Sequence, residues 1–429
     1  ILISNNTGRE GASVNSFADD RMGSEAKPCF ASKTWEVLPQ HILVSVFSYL
    51  TPLERLQAAL ACKTWSTCLQ HPLLWRRFVC KFLLPVHEKV LVPVELHGHR
   101  IKALVIEVDQ IDCRNRQNAC KALNILAKNK ERMLSSLTMH CLGQNPLFYA
   151  GQEFVVELKL LFGTFGDDPE PFSKLTHIDL SGLDVALDDS LFNILSDNHP
   201  GLEYLNIQNK SLVCKVSPLC FRHLVSKCKR LKSLSVFQLS LTDDVLTEIA
   251  EQEAPCLQYL SILYRREAKY TTDLSSEAWS RLVKKIPTLR VSLGFDHTCP
   301  LHRICEVMKP EIPVTELRLD TFTRVYDEVN HATNCYHKTL EKMELQTRNS
   351  EELEQALLRM AENCKRLNSL LVYCVLSESV INQILELRPQ IRTSGDYILK
   401  SRMEEGPWVV GVETDEEAQD RLDSHKVCG

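Results

Sequence analysis

The chain has no marked excess of either charge, no long apolar run and no closely spaced cysteine pair, and each absence removes a class of protein. Fifty Lys and Arg stand against 55 Asp and Glu, a formal net charge of −5, which leaves no electrostatic footprint for a nucleic acid. No stretch approaches the roughly 20 apolar residues of a membrane span. The opening ILISNNTGRE lacks the basic segment running into an apolar one that marks a secretory signal. The 17 cysteines are scattered, odd in number, and never closer than six positions, which excludes the C-x-x-C spacings of zinc knuckles and thioredoxin-like sites. Reduced, mostly buried thiols are expected, and with them a cytoplasmic or nuclear setting. There is no Walker loop, G-x-G-x-x-G, H-E-x-x-H or G-x-S-x-G, so the expectation is a non-enzyme with no catalytic residue, no bound metal and no cofactor. His297, Cys299, His302 and Cys305 fit no standard structural zinc spacing and read as a solvated loop leading into a helix.

What is present begins after a polar leader at 1–33 that reads as flexible. With 429 residues, 44% of them hydrophobic, the chain has room for several domains or for one extended array. In the segment 34–80, Ile42, Leu43, Val46, Phe47 and Leu50 fall at helical spacing and predict one helix with a broad apolar stripe. Thr51, Pro52 and Glu54 predict a capping box opening a second helix, with Leu53, Leu56, Ala59, Leu60 and Cys62 turned inward. A third short helix carries Trp65 and Leu69 and stops at His71-Pro72. Three helices of this size cannot close a sound core alone, so the leftover stripe wants a partner.

Leu38-Pro39, Ile42-Leu43, Phe47, Leu50, Arg55, Cys62, Trp65 and the HPLLW ending at Trp75 resemble an F-box, the adaptor-binding module of SCF ubiquitin ligases. That resemblance implies that Leu38, Pro39, Ile42, Leu43, Val46, Phe47 and Leu50 form the surface that docks on Skp1. Trp65 and Trp75 read instead as the module's own core.

The segment 81–400 repeats. The pattern L-x-x-L-x-L starts at Ile101, Leu134, Leu175, Leu202, Leu231, Leu257, Val314, Leu340 and Leu367, with a degenerate copy at Val291 and Leu293, about ten repeats in all. The starts lie 33, 41, 27, 29 and 26 residues apart, then 57 across the degenerate copy, then 26 and 27. A strand followed by a helix at this period is the mark of leucine-rich repeats. Helix-opening signals follow most starts, at Asp188, Ser217, Thr242, Ser350 and Ser377. The phrase CKRL closes two helices, and its Cys228 and Cys364 read as small buried residues between helix and strand. The Asn or Cys usual at the ninth repeat position is replaced by Leu183, Lys210, Leu239, Arg265 and Val375, so the inner turn ladder is expected to be weak.

The expected architecture is α/β: an N-terminal three-helix F-box followed by a curved leucine-rich-repeat solenoid, a horseshoe with its sheet on the inside. Strand alternation then turns His177, Asp179, Tyr204, Asn206, Gln208, Ser235, Phe237, Tyr259, Ser261, Leu263, Glu316, Arg318, Lys342, Glu344, Leu371 and Tyr373 toward the concavity. Tyr204, Phe237, Tyr259, Leu263, Arg318, Leu371 and Tyr373 are the candidate substrate contacts, being the kinds of side chain that anchor protein interfaces. A tail at 401–429 is acidic and reads as a solvated end, with Pro407 and Trp408 capping the last repeat. An F-box ahead of such repeats resembles the F-box and leucine-rich repeat family. Further phrases, NPLFYAG at 145–151, SSEAW at 275–279 and the late Pro407-Trp408, resemble one member in particular. The resemblance implies a non-catalytic substrate receptor whose partners are Skp1, through it cullin and RING subunits, and a protein substrate destined for ubiquitination and degradation. The competing expectation is a non-degradative scaffold or inhibitor that uses its F-box only for assembly.

Overall fold

The computed structural model describes residues 38–143, 151–163, 174–211, 213–266 and 271–402; the leader at 1–33, Pro407, Trp408 and the acidic tail lie outside them. Four helices open the described chain: α1 (Gln40–Phe47), α2 (Pro52–Ala58), α3 (Lys63–Leu69) and α4 (Pro72–Trp75). Pro72 does not merely stop α3, for it sits at the first position of α4, where its missing N–H costs nothing. The capping box forms as expected: Glu54 N–H donates to Thr51 Oγ1 at 3.4 Å while Thr51 N–H donates to Glu54 Oε2 at 2.7 Å.

Among the described residues, twelve strands then pair in chain order into one open parallel sheet. They are β1 (Arg77–Phe82), β2 (Ala103–Asp109), β3 (Ser136–Leu142), β4 (His177–Gly182), β5 (Tyr204–Asn206) and β6 (Ser233–Phe237). The second half holds β7 (Tyr259–Tyr264), β8 (Arg290–Phe295), β9 (Val314–Leu319), β10 (Lys342–Leu345), β11 (Ser369–Val375) and β12 (Tyr397–Lys400). Parallel neighbours need a crossover, and helices such as Cys113–Lys128, Asp189–Asn198 and Glu351–Asn363 supply it, each packing on the helix of the next repeat. Buried and half-buried residues alternate cleanly along β2 and β3, so Leu104, Ile106, Val108, Leu137 and Met139 face the helices and their neighbours face away. Strands β2–β11 fall on the ten sequence repeats. Neither β1 nor β12 was expected from the leucine pattern; in β1 the inward positions are Phe78, Cys80 and Phe82, which carry the alternation without a leucine.

The turn ladder is a second correction. It is present, but displaced by one position and built partly from hydroxyls. Asn209 Nδ2 donates to Val185 O at 2.7 Å, Ser240 Oγ to Val216 O at 2.8 Å and Thr347 Oγ1 to Thr323 O at 2.5 Å. All three side chains are buried, and each partner lies 24 residues earlier, one repeat back. Between repeats, the helix caps are also shared. Asp188, Ser217 and Ser350 cap their helices as expected. Ser217, which caps Pro218–Lys227, also bonds through its N–H and hydroxyl to the Asp189 carboxylate of the preceding helix, both at 2.7 Å. Ser377 leans on Glu354 in the same way. Cys228 and Cys364 close their helices and are buried, and burial pushes their thiols up to about 12 and about 11.

Candidate functional site

Two surfaces are left open by this packing, and each is positioned by a different device. In the helical module, Arg55 is buried and donates from Nε to Phe47 O at 3.1 Å, from Nη2 to Ser48 O at 3.1 Å, and from Nη1 to Leu74 O. One guanidinium thus joins the end of α1 to α4; burial lowers its pKa. Trp75 donates from Nε1 to Leu69 O at 2.7 Å and stacks on His97 with ring centroids 3.8 Å apart, which locks the module onto the first solenoid repeat. Burial, with the charges of Arg100 and His99, holds the His97 imidazole down at about 4.

The stripe along α1 is thereby split. Leu43 and Phe47 are 1% and 2% exposed and belong to the module's own core, where Phe47 meets the Trp65 ring edge-on at 5.2 Å. They are not open for docking, contrary to the expectation from spacing, because a helix of eight residues turns only one face outward. Ile42 and Val46 occupy that outer face at 41% and 42% exposure, with Pro39 exposed ahead of them and Leu38 and Leu50 half-buried at its ends. Leu60, expected inward, is 86% exposed beyond the end of α2.

On the sheet, β5 to β10 shape a trough of ≈ 320 Å³ lined by Tyr204, Asn206, Gln208, Tyr259, Ser261, Ser292, Glu316, Arg318, Lys342 and Glu344, among others. Of the seven candidate contacts, Tyr204, Tyr259, Arg318, Leu371 and Tyr373 are half-buried on this open side of the sheet. Phe237 and Leu263 are buried instead. Arg265 lies over the Phe237 ring at 4.3 Å and reaches back to the carbonyls of Asn209 and Ser211, covering that corner. Alternation places Phe237 on the open side, but only the tertiary fold brings an arginine from the next repeat across it. The polar groups of the trough are cross-linked: Gln208 Nε2 donates to Val236 O at 2.9 Å and Ser261 O at 3.1 Å, and Tyr259 OH donates to Glu316 Oε2 at 3.0 Å. Burial raises the Tyr259 hydroxyl to about 12. Gln208 and Glu316 were not singled out from the sequence as contacts, since neither is an aromatic or aliphatic anchor; their place on the open side of consecutive strands was the available signal. Among the described residues no cluster of His, Cys, Asp and Glu is arranged to hold a metal, and no helix is long and apolar enough to cross a membrane.

A small helical module with exposed apolar residues on α1 is thus joined to an open parallel solenoid of strand–helix repeats. The F-box-like family model matches residues 35–81. F-box/LRR-repeat protein 8 of Homo sapiens is 29% identical over 383 residues, covering 87% of this chain and 97% of that protein. The Bos taurus protein of the same name is 28% identical over 377 residues, with 87% and 97% covered. F-box/LRR-repeat protein 21 of Bos taurus is 23% identical over 371 residues, with 82% and 80% covered. Among solved structures, the leucine-rich repeat-containing protein LegL7 from Legionella pneumophila overlays with a TM-score of 0.37 at 13% identity, across 75% of this chain and 90% of that one. The chain is thus similar to F-box and leucine-rich repeat proteins along most of its length.

Proposed function

We propose that the chain is the substrate-recognition subunit of an SCF ubiquitin ligase. Skp1 docks on the outer face of α1 and brings the cullin and RING subunits with it, while the open side of the sheet captures a protein substrate. The function is positional. A substrate held by the solenoid presents its lysines at high effective concentration to ubiquitin carried on a separate enzyme, and no group of this chain enters the chemistry.

The observation that carries this reading is the uncovered pair Ile42 and Val46, beside a module core already closed by Leu43, Phe47, Leu74 and Trp75. An apolar face that the chain's own solenoid does not use is a protein-binding face. Leu38, Pro39 and Leu50 complete it, whereas Leu43 and Phe47 act from beneath as support. The test is co-purification of the full chain with Skp1. Ile42→Asp combined with Val46→Asp is expected to abolish capture while leaving the melting temperature nearly unchanged; capture undiminished by the pair overturns the proposal. Substrate half-life in cells with and without residues 35–75 then separates a degradative receptor from a scaffold, which predicts no change.

A further inference from the structure

The trough of β5–β10 holds a cation, Arg318, whose terminal Nη donors are not used among the described residues. Gly294 and Arg318 are register partners on β8 and β9. A Cβ built on Gly294 would stand 3.1 Å from Leu263 Cδ1 and 3.4 Å from Arg318 Nη2. Glycine therefore leaves the slot in which the guanidinium lies, pressed close to the sheet. Asp320 holds it from the far side, with Oδ2 2.9 Å from Nε. The two Nη nitrogens have no hydrogen bond or ion pair among the described residues. Neighbouring cations differ: Arg290 is engaged by Glu341 at 2.7 Å and Lys342 by Asp396 at 3.2 Å.

We propose that Arg318 is a specificity-determining residue of the trough, and that its Nη fork takes the carboxylate of an Asp or Glu side chain on an extended substrate segment. This rests on the reading of the chain as a substrate receptor. A guanidinium held beside Asp320 by their ion pair and by the Gly294 slot presents its Nη donors at the spacing of carboxylate oxygens, and its restricted position lowers the entropy cost of binding. Charge balance selects a carboxylate over a phosphate. Arg318 and Lys342 face Glu316 and Glu344 across the same lining, with Glu316 already receiving the Tyr259 hydroxyl. With Asp320, Glu316 and Glu344 all near the fork, a singly charged carboxylate meets less repulsion there than a doubly charged phosphate. The small floor of Ser235, Ser261, Ser292 and Gly294 lets a peptide backbone lie close to the strands, with Tyr204 and Tyr259 as walls.

The test is selection of random displayed peptides on the full chain. Enrichment of peptides with Asp or Glu at one fixed register is expected. Their affinity should fall roughly ten- to hundredfold in Arg318→Gln, the loss of one charge-assisted bidentate contact. Arg318→Glu should redirect selection to Lys or Arg at that register, a result that misfolding cannot produce. Enriched peptides without a fixed acid, or affinities unchanged in Arg318→Gln, overturn the proposal. So does a phosphoserine version of a selected peptide that binds more tightly than its Asp or Glu parent. The Ile42→Asp, Val46→Asp variant keeps the peptide selection while losing Skp1. Failure of Skp1 capture by the unaltered chain with acid selection intact would therefore strike the ligase reading and leave the trough standing.

Discussion

In the helical module one guanidinium, Arg55, satisfies the carbonyls of Phe47, Ser48 and Leu74, whereas the solenoid adds to such arginines, Arg132 among them, a series of side chains that recurs from repeat to repeat, Asn209, Ser240 and Thr347, each bonding a carbonyl 24 residues back. The module depends on its one such guanidinium because so small a body has little other core to hold its helices together. The solenoid repeats its bonds, and each repeat leans only on its neighbours. Damage should therefore be total in the first region and local in the second. The division suits the proposed roles, with a rigid dock at one end and a face that tolerates side-chain variation at the other.

That contrast can be broken most sharply at Arg55. Arg55→Met leaves three carbonyls unpaired and should cost about 3 kcal/mol or more, seen as loss of hydrogen-exchange protection throughout 40–75 while the solenoid stays protected. Uniform loss along the chain would mean that the two regions are one cooperative unit. Close behind comes Leu43→Ala, expected to cost about 3 kcal/mol by cavity formation, against less than about 1 kcal/mol for Ile42→Ala on the outer face. Equal losses in denaturant titrations would erase the distinction between core and dock.

Acid probes both regions together. His97 at the junction and His199 in the solenoid are buried, and burial is the main force holding each at about 4, below the usual value of about 6.5. Both are neutral when folded. His199 accepts the Leu175 N–H at Nδ1 (3.2 Å), with Nε2 3.0 Å from Phe162 O. A lowered histidine pKa gives stability that is whole above about 6.5 and is lost as pH falls toward 4, on the order of 2 kcal/mol for each by pH 5. His97→Phe keeps the ring on Trp75 and should flatten the junction's share of that dependence, read as module melting against pH; an unaltered profile would contradict the assignment. The smallest effects belong to the repeats. Thr347→Val and Ser217→Ala should each cost about 1 kcal/mol and, being far apart, should add. A double variant losing much more would show long-range cooperativity where nearest-neighbour coupling is expected.

The leucine spacing located ten of the twelve strands found among the described residues, since leucine or another aliphatic side chain at the inward positions is a signal that survives degenerate copies. It missed β1 because phenylalanine and cysteine fill its inward positions, and it missed β12 because no residue of that strand is fully buried and the spaced leucines are lacking. The ladder was misjudged for a related reason. Fixed-position counting looked for Asn or Cys at Lys210 and Leu239, while the bonds are made one residue away by Asn209 and Ser240. A hydroxyl serves as well as an amide when it lies under a carbonyl of the preceding turn. Of the surface residues, helical spacing identified the α1 stripe but could not separate Ile42 and Val46 from Leu43 and Phe47, which share it.

Periodicity by itself determined that this protein is a helical module followed by stacked strand–helix units, because burial of apolar side chains at regular spacing depends only on local backbone geometry. Which side chains remain accessible was decided by tertiary structure alone. Arg265 closes over Phe237, Gly294 opens a slot for Arg318, and α3 and α4 pack on α1, in which Leu43 and Phe47 are buried. Each of these involves residues from separate elements, and no pattern within a single element encodes the distance between them.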